Sequence, residues 1–370
     1  MPIQEFQVRV AEEEIDFLRA KLKLTRLSPA IADESWQWGI SSKFAAELKD
    51  RWLNQFDWRS WEKKINSFRN FTTEIDGQRI HFIHERSPNP DAVPLLLVHG
   101  WPGSFMEFLE LVKPLKNGSP AFHVIVPSLP GYGFSSRSMT GATNTNDIAD
   151  VFVKLMSELG YDKFYAQGGD WGSGIVSQIG RAHPSRCFGV HVNLTGPFPE
   201  DNDMSLIDAS ESGWLADNVA TYTEGMGYFG IQSTRPQTLA QALSDSPMGL
   251  ASWIGEKFIV WSDKHADGTS FVSTDTILAH ASLYWFTQSI GSSIRLYYDE
   301  VHKPGSRDYL SVPTGIAVFP REILKSPRKW AEKHYNIRQW SVMPRGGHFA
   351  ALETPDLLIE DIRSFVKSSV

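Results

Sequence analysis

Between residues 79 and 195 the chain repeats a few apolar patterns. RIHFIHE (79–85) alternates apolar and polar positions with period two, which predicts a strand. PLLLVHG (94–100) is instead an unbroken apolar run ending in glycine. FHVIVPSLPGYG (122–133) and KFYAQGGD (163–170) repeat that form, and FGVHVNLT (188–195) adds another strand. Short continuous runs of this kind predict strands buried on both faces. MEFLELVKPL and NDIADVFVKLMSEL, lying between them, have helical period. Strands alternating with helices predict a mostly parallel sheet covered on both sides.

From about 196 to 300 the strand pattern stops. SLIDASESGWLADNV, PQTLAQALSD, GLASWIGEKFIVW and TDTILAHASLYWFTQSIGSSIRLYYDE read as helices. Strands return with TGIAVFP (314–320) and RQWSVMPRG (338–346), and the helix TPDLLIEDIRSFVKS follows. Residues 1–75 read as helical and irregular. AEEEIDFLRAKL carries acidic residues in its first turn and basic ones later, with Ile15, Leu18 and Leu22 at helical spacing. The expected organisation is a wrapping arm (1–78), a first core part (79–195), a helical lid (196–300) and a second core part (301–370).

Composition narrows the function classes. A formal charge of −7 disfavours nucleic acid and anionic membrane as partners. Cys187 is the only cysteine, so no internal disulfide forms and a reducing compartment is expected. The first 22 residues are charged throughout, unlike a signal peptide or a membrane anchor, and no later stretch is apolar for long enough to span a bilayer. A cytoplasmic protein without an integral membrane anchor is expected. A homodimer stays open.

In an open parallel sheet, ligands bind at the carboxyl ends of the strands. HGWPGSF (99–105), GGDWGSG (168–174), FPRE (319–322) and RGGHFA (345–350) are all placed there. Asp170 stands where hydrolases of this layout carry serine, in a G-x-S-x-G turn between strand and helix. His348, after the last strand, occupies the expected base position, and Glu322 is the acid candidate. Asp299 and Asp308 are its rivals, but both precede the strand TGIAVFP.

A carboxylate nucleophile changes the chemistry. Serine attacking a saturated carbon would end as an ether that water does not readily cleave. A carboxylate forms an ester, and water can attack its carbonyl. Aspartate is already ionised near neutral pH and needs no base. Histidine is left to activate the water of a second step. The backbone N–H groups of Trp101 and Trp171 are the expected oxyanion donors. His81 and His84 point to opposite faces of a strand, and no other histidines have ligand spacing, so no metal site is expected; the two-step hydrolysis is expected to need no cofactor.

These residues resemble a known family. HGWPGSF, PSLPGYGFS, GGDWGS, GYFGIQSTRPQTLAQALSDSPMGLASWIGEKF, PTGIAVFPRE and RGGHFAALETPDLL are similar to segments of α/β-hydrolase-fold epoxide hydrolases, in the microsomal and juvenile hormone branch. The resemblance implies an α/β-hydrolase fold that opens an epoxide to a vicinal diol, with Asp170, Glu322 and His348 as the triad. It also implies two lid tyrosines that hold the epoxide oxygen. GYFGIQ places one at Tyr228, and RLYYDE places the other at Tyr297, with Tyr298 as its rival. Two competing readings stand beside it: a haloalkane dehalogenase, which would hold halide on indole or amide N–H groups, and an idle ligand receptor on the same scaffold.

Overall fold

The computed structural model describes residues 2–29, 36–136, 143–195 and 204–369. Nine strands form among them: β1 (Gln4–Glu5), β2 (Asn70–Ile75), β3 (Gln78–Glu85), β4 (Val93–Val98), β5 (Phe122–Pro127), β6 (Phe164–Gly168), β7 (Cys187–Val192), β8 (Leu310–Val318) and β9 (Tyr335–Val342). They make one sheet in the order β1-β2-β3-β5-β4-β6-β7-β8-β9. The β1–β2, β2–β3 and β3–β5 pairings are antiparallel, and every pairing from β5 to β9 is parallel. The apolar run of β4 is explained by its surroundings. Leu96 and Val98 join one buried cluster and Leu95 and Leu97 the other, so both faces are covered. The strand order reverses at β4, which lies between β5 and β6, so a crevice opens at their carboxyl ends.

The arm departs from its expected character. It contributes β1 and β2 to the sheet, where helix and irregular chain were expected. Asp76 and Gly77 both have positive φ (53° and 76°) and join β2 to β3 as a two-residue hairpin. The Asp-Gly pair was the readable signal for it. The β2 sequence NFTTEI alone is too short and too polar to read as a strand.

Between β7 and β8 the described chain is helical, with helices Ser212–Ala220, Gly227–Thr234, Pro236–Asp245, Pro247–Val260, Thr274–Thr287 and Ile290–His302. The expected start of this lid, residue 196, lies outside the described residues. The arm clamps the lid. Leu18, Leu22, Leu48 and Trp52 share a core cluster with Leu250, Ile254 and Ile277. Trp52 Nε1 donates to Ser282 Oγ at 3.0 Å, and Arg51 holds Asp275 with two bonds of 2.6 and 2.8 Å.

Candidate active site

Asp170 lies between the end of β6 and the helix Trp171–Ala182, with φ 50° and ψ −130°. That region is costly for a residue with a side chain and persists only where the surroundings impose it. The glycines impose it by close approach. A Cβ at Gly172 would collide with Val98 O, and one at Gly168 with the Gly172 carbonyl. The Asp170 side chain makes no capping bond to its own helix. It turns toward two other loops.

The first is His99–Phe105, after β4. Trp101 N donates to Asp170 Oδ1 at 2.7 Å. Gly100 leaves the space the carboxylate occupies, since a Cβ there would strike Asp170 Oδ1. The loop is pinned from behind. Leu129 N donates to His99 Nε2 at 3.2 Å, which leaves the Nδ1–H of His99 for Gly100 O at 3.0 Å. Tyr284 Oη donates to Gly103 O at 3.0 Å. The Trp101–Pro102 peptide is cis. Trp171 opens the helix after Asp170, where backbone N–H groups have no intrahelical partner.

The second is the loop after β9. His348 Nε2 sits 3.3 Å from Asp170 Oδ2, and its Nδ1 is 2.6 Å from Glu322 Oε1. Glu322 follows β8 and also accepts from Ile323 N at 2.7 Å. Burial disfavours the imidazolium. The charge of Glu322 and the hydrogen bonds to Asp170 and Glu322 outweigh it and hold the His348 pKa well above its ordinary value. Asp299 and Asp308 are engaged elsewhere: Asp299 accepts from Thr143 N at 3.0 Å and Asp308 from Ser306 Oγ at 2.7 Å.

The lid brings two phenols over Asp170. Tyr228 and Tyr297 are both buried, with ring centroids 5.8 Å apart at 80°. Tyr298 is 38% exposed and stacks on His302, so of the two adjacent tyrosines Tyr297 faces the site. Burial, with Asp170's charge adding to it, pushes both phenols above their usual pKa, so both are O–H donors at neutral pH. Tyr228 stacks on the Trp101 indole at 5.4 Å. Lys257, paired with Glu256 at 3.0 Å, places its ammonium 4.8 Å from the Tyr228 ring. The Tyr297 hydroxyl and the indole N–H groups of Trp101 and Trp171 are buried and make no hydrogen bond within the protein. A native interior satisfies such donors. Those of Tyr297 and Trp171 stand beside Asp170 in the wall of one cavity, so they mark the place of a ligand acceptor.

A cavity of about 730 Å³ runs from these groups, past Met226, Phe229 and Leu324. That is ample for a small organic molecule. Among the described residues no three His, Cys, Asp or Glu side chains gather as metal ligands. Each of these loops was legible in the sequence, but Lys257 and Glu107 were not, the latter lining a small chamber beside Asp170. Glu107 did leave a signal, a carboxylate in the otherwise apolar stretch FMEF (105–108).

Two family models match this chain: the epoxide hydrolase N terminus over residues 3–108 and the alpha/beta hydrolase fold over residues 93–223. Epoxide hydrolase 1 of Sus scrofa is 37% identical, over 98% of this chain and 88% of that protein. The solved epoxide hydrolase of Aspergillus niger is 35% identical with a TM-score of 0.92, covering 100% of this chain and 97% of that one. The juvenile hormone epoxide hydrolase of the silkworm Bombyx mori is 30% identical, also at 0.92, covering 100% and 95%.

Proposed function

We infer the reaction from one premise: this chain belongs to the epoxide hydrolase family of the α/β-hydrolase fold. It converts an apolar epoxide and water to a vicinal diol, through an ester on Asp170. The observation that carries this reading is the juxtaposition at Asp170. On one side stand His348 and Glu322, on the other the buried hydroxyl of Tyr297, close to that of Tyr228.

Tyr228 and Tyr297 donate to the epoxide oxygen. Oδ1 of Asp170 is held by the Trp101 N–H at 2.7 Å, while Oδ2 has only the longer 3.3 Å contact with His348 Nε2, so Oδ2 is the oxygen that bonds the ring carbon. The ring C–O bond breaks, and the alkoxide takes a proton from one of the phenols, which solvent restores. Ester formation removes the Asp170 charge, one of the influences that keep His348 protonated. His348 then releases its proton and, oriented by Glu322, takes one from water. The hydroxide adds to the ester carbonyl. The oxyanion on Oδ1 is held by the Trp101 and Trp171 N–H groups, a kind of contact worth about 3–4 kcal/mol per donor. Collapse breaks the bond between the carboxyl carbon and Oδ2, and Oδ2 leaves as the second oxygen of the diol. The diol leaves with the proton from His348, and Asp170 keeps one oxygen from water.

Repeated turnover in oxygen-18 water tests this. The Asp170 peptide should gain the label by mass spectrometry; label in the diol alone would mean that water attacks the epoxide directly. The two unbonded indole N–H groups favour a second reading, halide binding by a haloalkane dehalogenase, which chloride release from chloroalkanes would reveal. We place the protein in the cytoplasm on its single cysteine.

A further inference from the structure

We propose that the small chamber behind Asp170 holds the hydrolytic water and that Glu107 is the residue that positions it. The inference rests on the aspartyl-ester reading above. Two cavities meet at the nucleophile. The large one is lined by Tyr228 and Tyr297, the small one by Glu107 and His348, and Asp170 is the one described residue lining both. Substrate and water would therefore reach the carboxyl group from separate sides.

The chamber has the right size and lining. Its space for the centre of a water molecule is about 20 Å³, where one water needs roughly 10–15 Å³. Its walls include an unmet acceptor. Gln167 Nε2 donates to Asn193 Oδ1 at 3.0 Å, while Gln167 Oε1 is buried with no partner. A buried polar atom of this kind is ordinarily satisfied by a bound water.

Glu107 is held in this wall by its backbone. It follows Ser104, whose side chain caps the turn Phe105–Phe108 through Met106 N at 3.2 Å. Gly103 leaves room for its carboxyl group, because a Cβ there would overlap Glu107 Oε1. Burial pushes the Glu107 pKa up to about 8; the nearby His348 lowers it and the Asp170 charge raises it. Burial thus favours the neutral acid, which has one O–H donor and one carbonyl acceptor. A water that donates one hydrogen to His348 Nε2 and the other to the Glu107 carbonyl oxygen has a lone pair free for the ester carbon. The transferred proton goes to His348; Glu107 exchanges none. An ionised Glu107 would instead hold His348 in its protonated, inactive form.

The split between the two chemical steps tests the assignment. In Glu107→Leu, ester formation should keep its rate in a single-turnover experiment. Ester hydrolysis should fall about 10- to 100-fold, the scale of a misplaced reactant, and the adduct should accumulate by intact-mass spectrometry. Glu107→Gln retains a neutral carbonyl acceptor and should recover hydrolysis to within about threefold of the parent. Glu107→Asp, which withdraws the carboxyl group from the chamber, should show the same split as Leu and serves if the Leu variant does not fold. Unchanged hydrolysis in Leu or Asp would overturn the proposal, as would equal slowing of both steps without rescue by Gln. His348→Gln run alongside separates the readings. If it forms no adduct, the ester mechanism itself fails; if it does while Glu107→Leu turns over normally, only the role of Glu107 fails.

Discussion

Tyr297→Phe should stabilise the protein and cripple it. The Tyr297 hydroxyl is fully buried and makes no hydrogen bond within 3.5 Å; Tyr228 and Trp171 are its nearest polar neighbours. A buried hydroxyl without a partner costs about 1–3 kcal/mol of folding free energy. Phenylalanine removes that cost and keeps the ring contacts with Trp101 at 5.7 Å and Trp171 at 4.8 Å. For 370 residues the unfolding entropy is about 0.8 kcal/mol per kelvin, so a gain of about 1–2 kcal/mol raises Tm by roughly 1–3 °C. The chemical effect has the opposite sign. The developing alkoxide loses one of two phenol donors, worth about 3–4 kcal/mol, or roughly 100- to 1,000-fold in the rate of ester formation. Calorimetry and single-turnover alkylation give the two numbers on the same preparation. Tyr298→Phe, on the exposed neighbour, should change neither. A Tyr297→Phe protein that melts several degrees lower while opening epoxides at full rate would refute the reasoning, because the hydroxyl would then serve packing and not chemistry.

Other outcomes follow from the same geometry. His348→Gln should form the ester and fail to release it, so the intact mass should rise by that of the epoxide and stay there. Glu322→Gln removes the charge 2.6 Å from His348 Nδ1 and should slow hydrolysis more than alkylation; equal slowing of both would assign the orienting role elsewhere. The stability supplied by the raised His348 pKa is fully present below its unfolded value of about 6.5 and is lost as pH rises through the folded value. Thermal melts from pH 6.5 upward should therefore decline more in the parent than in His348→Gln. Gly172→Ala forces a Cβ onto Val98 O and should cost at least about 1–3 kcal/mol in urea unfolding; an unchanged midpoint would mean that the turn is looser than it looks.

The core of the fold was legible because its signals are local. Continuous apolar runs mark β4 and β5, and a strand followed by Gly-Gly-Asp-Trp-Gly marks the turn that carries Asp170. The lid helices were legible by period. β2 was missed because its stability comes from pairing with β3 and not from its own six residues. The choice between Tyr297 and Tyr298 was open because adjacent helical residues differ only in which way they face, and packing against Trp101, Trp171 and Tyr228 decides that. Lys257 and Glu107 were illegible for a related reason. A charged residue in a helix or short turn reads as surface until the neighbours that enclose it, distant in sequence, are in place.

The clasp of the arm on the lid has a consequence for biosynthesis. Trp52 and its hydrogen-bond partner Ser282 are separated by 230 positions. At ordinary translation speeds of about 5–20 residues per second, roughly 10–50 s pass between the making of one and the other. Throughout that interval Leu18, Leu22, Leu48 and Trp52 lack the lid residues they finally pack against. The arm leaves the ribosome before the lid it clasps and is among the last parts to find its place, so it is this segment that chaperones would have to shield.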